Sequence, residues 1–132
     1  MTALTARRRV KRRTGEIVTH PVAAGAHVFE GALVALEGGY AKPAYEAGSL
    51  VAAGVARAEA DNTSGQDGAI KVDVLRGIFA FANAGDVTRG HIGAQAWMVD
   101  DQTVAAGSNS NGRSPAGKIV DVNEDGVWVD IG

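Results

Sequence analysis

From Glu16 onward the chain runs in short apolar stretches whose side chains alternate with polar ones. Turns rich in Gly, Asn and Asp break these stretches, and a 3.6-residue rhythm is nearly absent. A period of two sends successive side chains to opposite faces of a pleated ribbon, so only an all-β domain accommodates the pattern. The expectation is a small β-barrel or sandwich of short antiparallel strands over residues 16–132, preceded by an extended basic arm over residues 1–15.

Residues 16–20 read as a first strand stopped by Pro21. Residues 32–37 and 40–45 read as a hairpin through Gly38-Gly39, with Pro43 confining its second strand to a sheet edge. A strand over 51–58 follows, then a polar surface loop over 61–68. Ile70, Val72 and Val74 face one way, with Lys71 and Asp73 opposite. Residues 77–82, the most apolar piece, read as the central strand over the thickest core, with Gly77 a bulge. Residues 86–93 form one tight turn or a short helical turn, and 96–99 resume as strand. The stretch 107–112, Gly-Ser-Asn-Ser-Asn-Gly, lacks a core anchor and reads as a mobile loop. Residues 118–122 and 127–131 are the clearest hairpin, turning at 123–126. Trp128 and Asp130 share one face, and Val127, Val129 and Ile131 the other. Ile119 meets the core if Val120 and Val122 face out, or the reverse.

Charge divides the chain in two. Arg7, Arg8, Arg9, Lys11, Arg12 and Arg13 are six of its thirteen basic residues, and all fifteen acidic residues follow them. The first thirteen residues carry +6; the remainder, with seven basic and fifteen acidic side chains, carries −8. With no aromatic and only Met1, Leu4 and Val10 larger than alanine among its apolar side chains, the arm cannot bury enough surface to fold alone, and it calls for a negative partner.

At 132 residues the chain has room for one ordinary domain. Its seven aromatics and 18 glycines leave a thin core of Val, Ile, Leu and Ala, and the absence of cysteine removes disulfide and thiolate-metal support. Oligomerisation is the remaining common support. The longest apolar stretches, such as 51–56 with Gly54 inside it, fall short of a bilayer span, so no membrane partner is expected. A basic run followed by Thr14-Gly15-Glu16 differs from a secretory leader and points to an intracellular origin, which leaves the sequon Asn62-Thr63-Ser64 unmodified in its loop.

Motifs for chemistry fail on context. Residues 121–126 match the first six positions of an EF-hand calcium loop, but Gly132 stands where the closing glutamate belongs, and the flanks are strands; an Asp-Gly hairpin turn accounts for them. Residues 112–118 have P-loop spacing, yet Ile119 replaces the magnesium-binding hydroxyl, and a strand rather than a helix follows. His20, His27 and His91 have no ligand spacing; His20 and His91 read as surface or turn residues. Asp100 and Asp101 open a turn rather than pair as acids. No serine sits in a nucleophile elbow. The chain is therefore read as non-enzymatic, with no catalytic, cofactor-binding or metal residues and no cofactor. Trp97 and Trp128 read as core or subunit-contact residues, since a −8 body repels the phosphates a single-strand binder must hold. Nucleic acid is a partner through the arm alone.

The segments 86–93, 96–105, 116–122 and 125–129 together resemble the capsid cement proteins of tailed phages, small β-rich head-decoration proteins. The likeness rests on turn and strand signatures over roughly the last 50 residues. It implies a non-enzymatic structural protein on the outer surface of the virion head, made in the bacterial host cytoplasm, that bridges neighbouring major capsid protein subunits, often as a trimer. The arm would gain order on the capsid or on a neighbouring subunit. Two rival expectations stand beside it: a small β-domain binding nucleic acid non-specifically through its arm, and an oligomeric module whose arm exchanges between subunits.

Overall fold

A computed structural model of the chain describes Ala6 and residues 16–132. The rest of the arm, including Arg7, Arg8, Arg9, Lys11, Arg12 and Arg13, lies outside the described residues. Those described are all-β, as the alternation requires. Twelve strands are present among them: β1 Ile17–Pro21, β2 His27–Val28, β3 Leu33–Glu37, β4 Tyr40–Pro43, β5 Val51–Ala56, β6 Ala60–Asp61, β7 Lys71–Leu75, β8 Gly77–Asn83, β9 Gln95–Met98, β10 Thr103–Ala105, β11 Pro115–Asn123 and β12 Gly126–Ile131.

They form a five-stranded sheet in the order β1-β7-β5-β3-β4, a closed barrel in the order β10-β8-β12-β11-β9, and a β2-β6 ribbon. Strand pairing is antiparallel except between β8 and β10, where Ala82 and Asn83 lie parallel to Thr103 and Val104. Closing the second sheet removes its edges, so its strands offer no template for further pairing. The first sheet curls toward closure but is tied only by a single bridge, Val22 to Ala41, between the chain just past β1 and β4.

The hairpins form where turn chemistry places them. Gly38 and Gly39 take φ of 59° and 88°, the left-handed pair a two-residue turn needs to follow the strand twist, and β4 is an edge strand carrying Pro43. The β11–β12 hairpin turns between Asn123 and Gly126, with Val127, Val129 and Ile131 inward. Neither simple alternation of β11 holds. A bulge between Ile119 and Asp121 resets the period, so Ile119 is fully buried while Val122, opposite Val127, also packs against the core. Residues 86–93 contain a short 3₁₀ turn, Arg89–His91.

The core differs from the expected one. One apolar cluster fills the barrel and takes in Leu33, Ala35, Ala44 and Leu50; a second, around Val22, Val28, Val34, Val72 and Val74, lies in the first sheet's concave side. Successive residues of β3 therefore feed different clusters, which makes β3 the strand buried on both faces. Strand β8 is not the core's centre: Phe81 is buried and Phe79 partly so, but Ile78 is 53% exposed and Ala80 and Ala82 face out. In a barrel wall only one face is interior, so apolar content exceeded burial. Gly77 is not a bulge either. It pairs in register with Ile131 and, at φ 149°, turns the chain out of the first sheet just after Arg76.

Two buried polar residues knit the loops. The Asn62 amide nitrogen donates to the carbonyls of Val22, Ala23 and Gln66 at 3.2, 3.0 and 2.9 Å. The Ser114 hydroxyl accepts from Leu50 N–H at 2.8 Å and donates to Ala47 O at 2.5 Å, tying the β4–β5 connection to β11. The 107–112 segment is likewise bonded rather than free. Arg113 N–H donates to Ser108 O and Gly112 N–H to Asn109 O, both at 3.0 Å, and Asn109, Ser110 and Asn111 all take left-handed φ.

Candidate interaction surfaces

The motifs set aside on sequence grounds resolve into structural contacts. In the EF-hand-like stretch, Asp121 accepts from Arg89 at 2.9 Å, and Asn123 Oδ1 accepts from Asp125 N–H and from Trp128 Nε1 at 2.9 and 3.1 Å. Those oxygens serve the hairpin rather than converging on a point. In the P-loop-like stretch a strand begins at Pro115, and the Ser114 hydroxyl is committed to Leu50 and Ala47. Asp100 accepts from Gln102 N–H at 2.9 Å within a turn, as its position suggested. His91 Nδ1 accepts from Thr88 N–H at 2.9 Å inside the 3₁₀ turn. His27 stacks on Phe29 with ring centroids 4.3 Å apart and pairs with Glu59. Among the described residues no three His, Asp or Glu side chains gather as a metal site, and no helix is long and apolar enough to cross a membrane.

What the described surface offers is faces. On the barrel, Trp97 lies between buried Ala96 and Met98, and Trp128 between buried Val127 and Val129, so both rings stand on the outer wall, half-buried. The core alternative for the tryptophans is thereby overturned. Trp128 is paired with Ala80, beside Ile78 and Ala82 on the neighbouring strand, making an apolar strip on the β8–β12 exterior. Sequence reasoning found these residues but assigned β8 inward, because nothing in one strand's composition tells a barrel wall from a buried sheet.

Two grooves flank the junction of the sheets. The first, about 370 Å³, is lined by Val18, Leu36, Ala52, Ala53, Arg76 and Ile131, among others, and continues past Ala52 toward Leu50, Val51 and Pro115. The second, about 390 Å³, runs between Phe29, which is 56% exposed, and the Asp101–Gln102 turn, with Glu30 on its rim. Phe29 gave no periodic signal, since it sits in a connection between strands.

Paired charges brace the hairpins. On β3–β4 the Lys42 ammonium, 2.7 Å from Glu37, and then the Tyr45 hydroxyl hold the Glu37 carboxyl below the usual carboxylate range. Glu37 in turn raises Lys42 and Tyr45 above theirs. Arg89 foremost, then the Val122 amide, lowers Asp121, and the Thr63 hydroxyl and amide lower Asp61.

Fold and surface together define an all-β protein, a closed five-stranded barrel packed against an incompletely closed five-stranded sheet, with apolar strips and grooves on its outside. No protein-family model, curated protein or solved structure matches the chain.

Proposed function

We propose that the chain is a non-enzymatic virion structural protein that decorates and cements the head of a tailed phage, bridging major capsid protein subunits from the outer surface as a homo-oligomer, a trimer or a dimer. The observation that carries this reading is the outward apolar strip of Ile78, Ala80, Ala82 and Trp128 on a body of opposite charge to its own arm. Contiguous apolar area on an outer wall marks a contact face. The likeness of residues 86–129 to cement proteins points to the partner.

In this role many weak contacts repeat over the shell. Linked sites raise each other's effective concentration, so modest individual affinities resist the outward pressure of packaged DNA. The acidic body projects away from the shell, and the arm gains order on a capsid subunit or a neighbouring copy. Electron cryo-microscopy of expanded heads incubated with the full chain tests the role. Projecting density over the junctions between capsid subunits is expected; a bare shell at saturating protein refutes it.

Six cations within seven residues also favour a second reading, non-specific nucleic-acid binding through Arg7, Arg8, Arg9, Lys11, Arg12 and Arg13. In that case log affinity falls with log salt by about 0.9 per phosphate neutralised on duplex DNA. Retention on DNA that is salt-sensitive and lost on removing residues 1–13, without head binding, would favour it.

A further inference from the structure

The first sheet is a barrel left open on one side. Arg76 N–H donates to Glu16 O at 2.8 Å and Val22 N–H to Ile70 O at 3.0 Å, so the residues of β1 that bond β7 are the even-numbered ones. In an antiparallel ladder the residues between them aim their backbone groups the other way. Ile17 and Thr19 thus present N–H and C=O to the outside, and β1 pairs only with β7 among the described strands. Beside this edge, on the face that Val18 and His20 share, lies the groove whose apolar lining is Val18, Leu36, Ala52, Ala53 and Ile131, with His20 and Arg76 as its polar side chains. An unpaired edge beside an apolar groove is the arrangement that takes an extended segment as an added strand.

We propose that this groove is occupied by the N-terminal segment of a second copy of the chain. Residues 1–6 enter as a strand on the β1 edge with Leu4 against Leu36 and Ala52, and residues 7–13 lie on that copy's acidic surface. Composition selects the segment: Met-Thr-Ala-Leu-Thr-Ala has no charged side chain, no Gly and no Pro, whereas the next seven residues hold six cations. Charge selects the neighbour, since the +6 arm of one copy meets a −8 body on the next. Reach permits it, because fifteen extended residues span roughly 50 Å, several times the roughly 13 Å radius of gyration of a body this size.

A chain's own arm fits less well. Glu16 is held beside the groove by the Arg76 amide, so a tight reversal at Thr14-Gly15 would lay Arg8 to Arg13 along the β1 edge, against the like charge of the Arg76 side chain that lines the groove. The partner's uncharged end meets no such cost. Exchange of this kind would also supply the support that a thin core lacks, and it is independent of what the assembled protein binds.

The absence of cysteine makes the test direct. Full-length Leu4→Cys carrying a size tag is mixed with full-length Ala52→Cys under a mild oxidant, with Ala80→Cys on the outer barrel wall as the control partner. The expected result is a covalent heterodimer with Ala52→Cys at least tenfold above the control. Equal cross-linking to both partners, or to neither, overturns the proposal. So does a Leu4→Cys/Ala52→Cys double variant that closes within one chain at dilution while the mixture gives no heterodimer. Light scattering on full-length Leu4→Asp gives a second readout: the mass is expected to fall to that of one chain, and an unchanged oligomeric mass refutes the exchange.

Discussion

Replacing Asn62 with alanine should destabilise the protein by an amount that can be worked out from its contacts. The side chain is 3% exposed, and its two amide protons serve three carbonyls, those of Val22, Ala23 and Gln66. Each carbonyl also receives a backbone N–H, from Gly68, Ala26 and Ala69 respectively, at 2.9, 3.2 and 3.1 Å. Truncation therefore orphans none of them, and the loss is that of about two net hydrogen bonds at roughly 1 kcal/mol each, with a small cavity cost, about 2–3 kcal/mol in all. Urea denaturation should show this as a lower midpoint at unchanged slope, and thermal unfolding as a Tm lowered by roughly 6–15 °C. Asn62→Asp should be worse at neutral pH, because a carboxylate would face three carbonyl oxygens with no proton to give. That excess should shrink as pH falls and the acid protonates, since burial raises its pKa and the penalty belongs to the ionised form. An Asn62→Ala variant within 0.5 kcal/mol of the parent, or an Asn62→Asp variant insensitive to pH, would refute this account of the loop.

Four further outcomes are expected. Ser114→Ala leaves the Leu50 N–H buried without its acceptor and should cost about 1–3 kcal/mol by chemical denaturation, while Ser114→Thr should retain part of it. Gly54→Ala places a Cβ against the Leu75 carbonyl at φ 139° and should lower stability by roughly 2 kcal/mol or more; a neutral result would contradict the close β5–β7 crossing. Because Glu37 and Asp121 titrate below the usual carboxylate range, their contribution is complete above that range and is lost as pH falls through their lowered values. Amide protection in the β3–β4 and β11–β12 hairpins, corrected for the intrinsic exchange rate, should fall below about pH 4, and Lys42→Met should reduce the β3–β4 part, leaving the share that Tyr45 supplies. Ile78→Ser, at an exposed position, should leave stability within about 0.5 kcal/mol while weakening head binding; full binding would remove the β8–β12 strip from the contact face.

Much of the fold was legible because the local rules agree with one another. The Gly38-Gly39 turn, the alternation of β12 and the edge position of Pro43 each follow from chemistry within a few residues. Features that depend on distant partners were not. That β3 rather than β8 is buried on both faces depends on the second sheet packing over Leu33 and Ala35, and the β11 bulge at Val120 depends on barrel closure. Asn62 and Ser114 looked like ordinary loop polar residues, since their burial comes from backbone carbonyls and amides about forty and about sixty positions away. Of the candidate site, the arm's charge was plain from the sequence. The groove beside β1 was not, because an unpaired edge becomes visible only when every other pairing is known.

Quantitative co-sedimentation of the full chain with expanded heads of the phage that encodes it, across a salt series, tests the central claim most directly. Saturable binding at a fixed ratio to the major capsid protein, surviving salt that strips the chain from DNA, is the predicted result. Binding that never saturates, or that appears only when DNA is exposed and vanishes with added salt, would contradict the cement role.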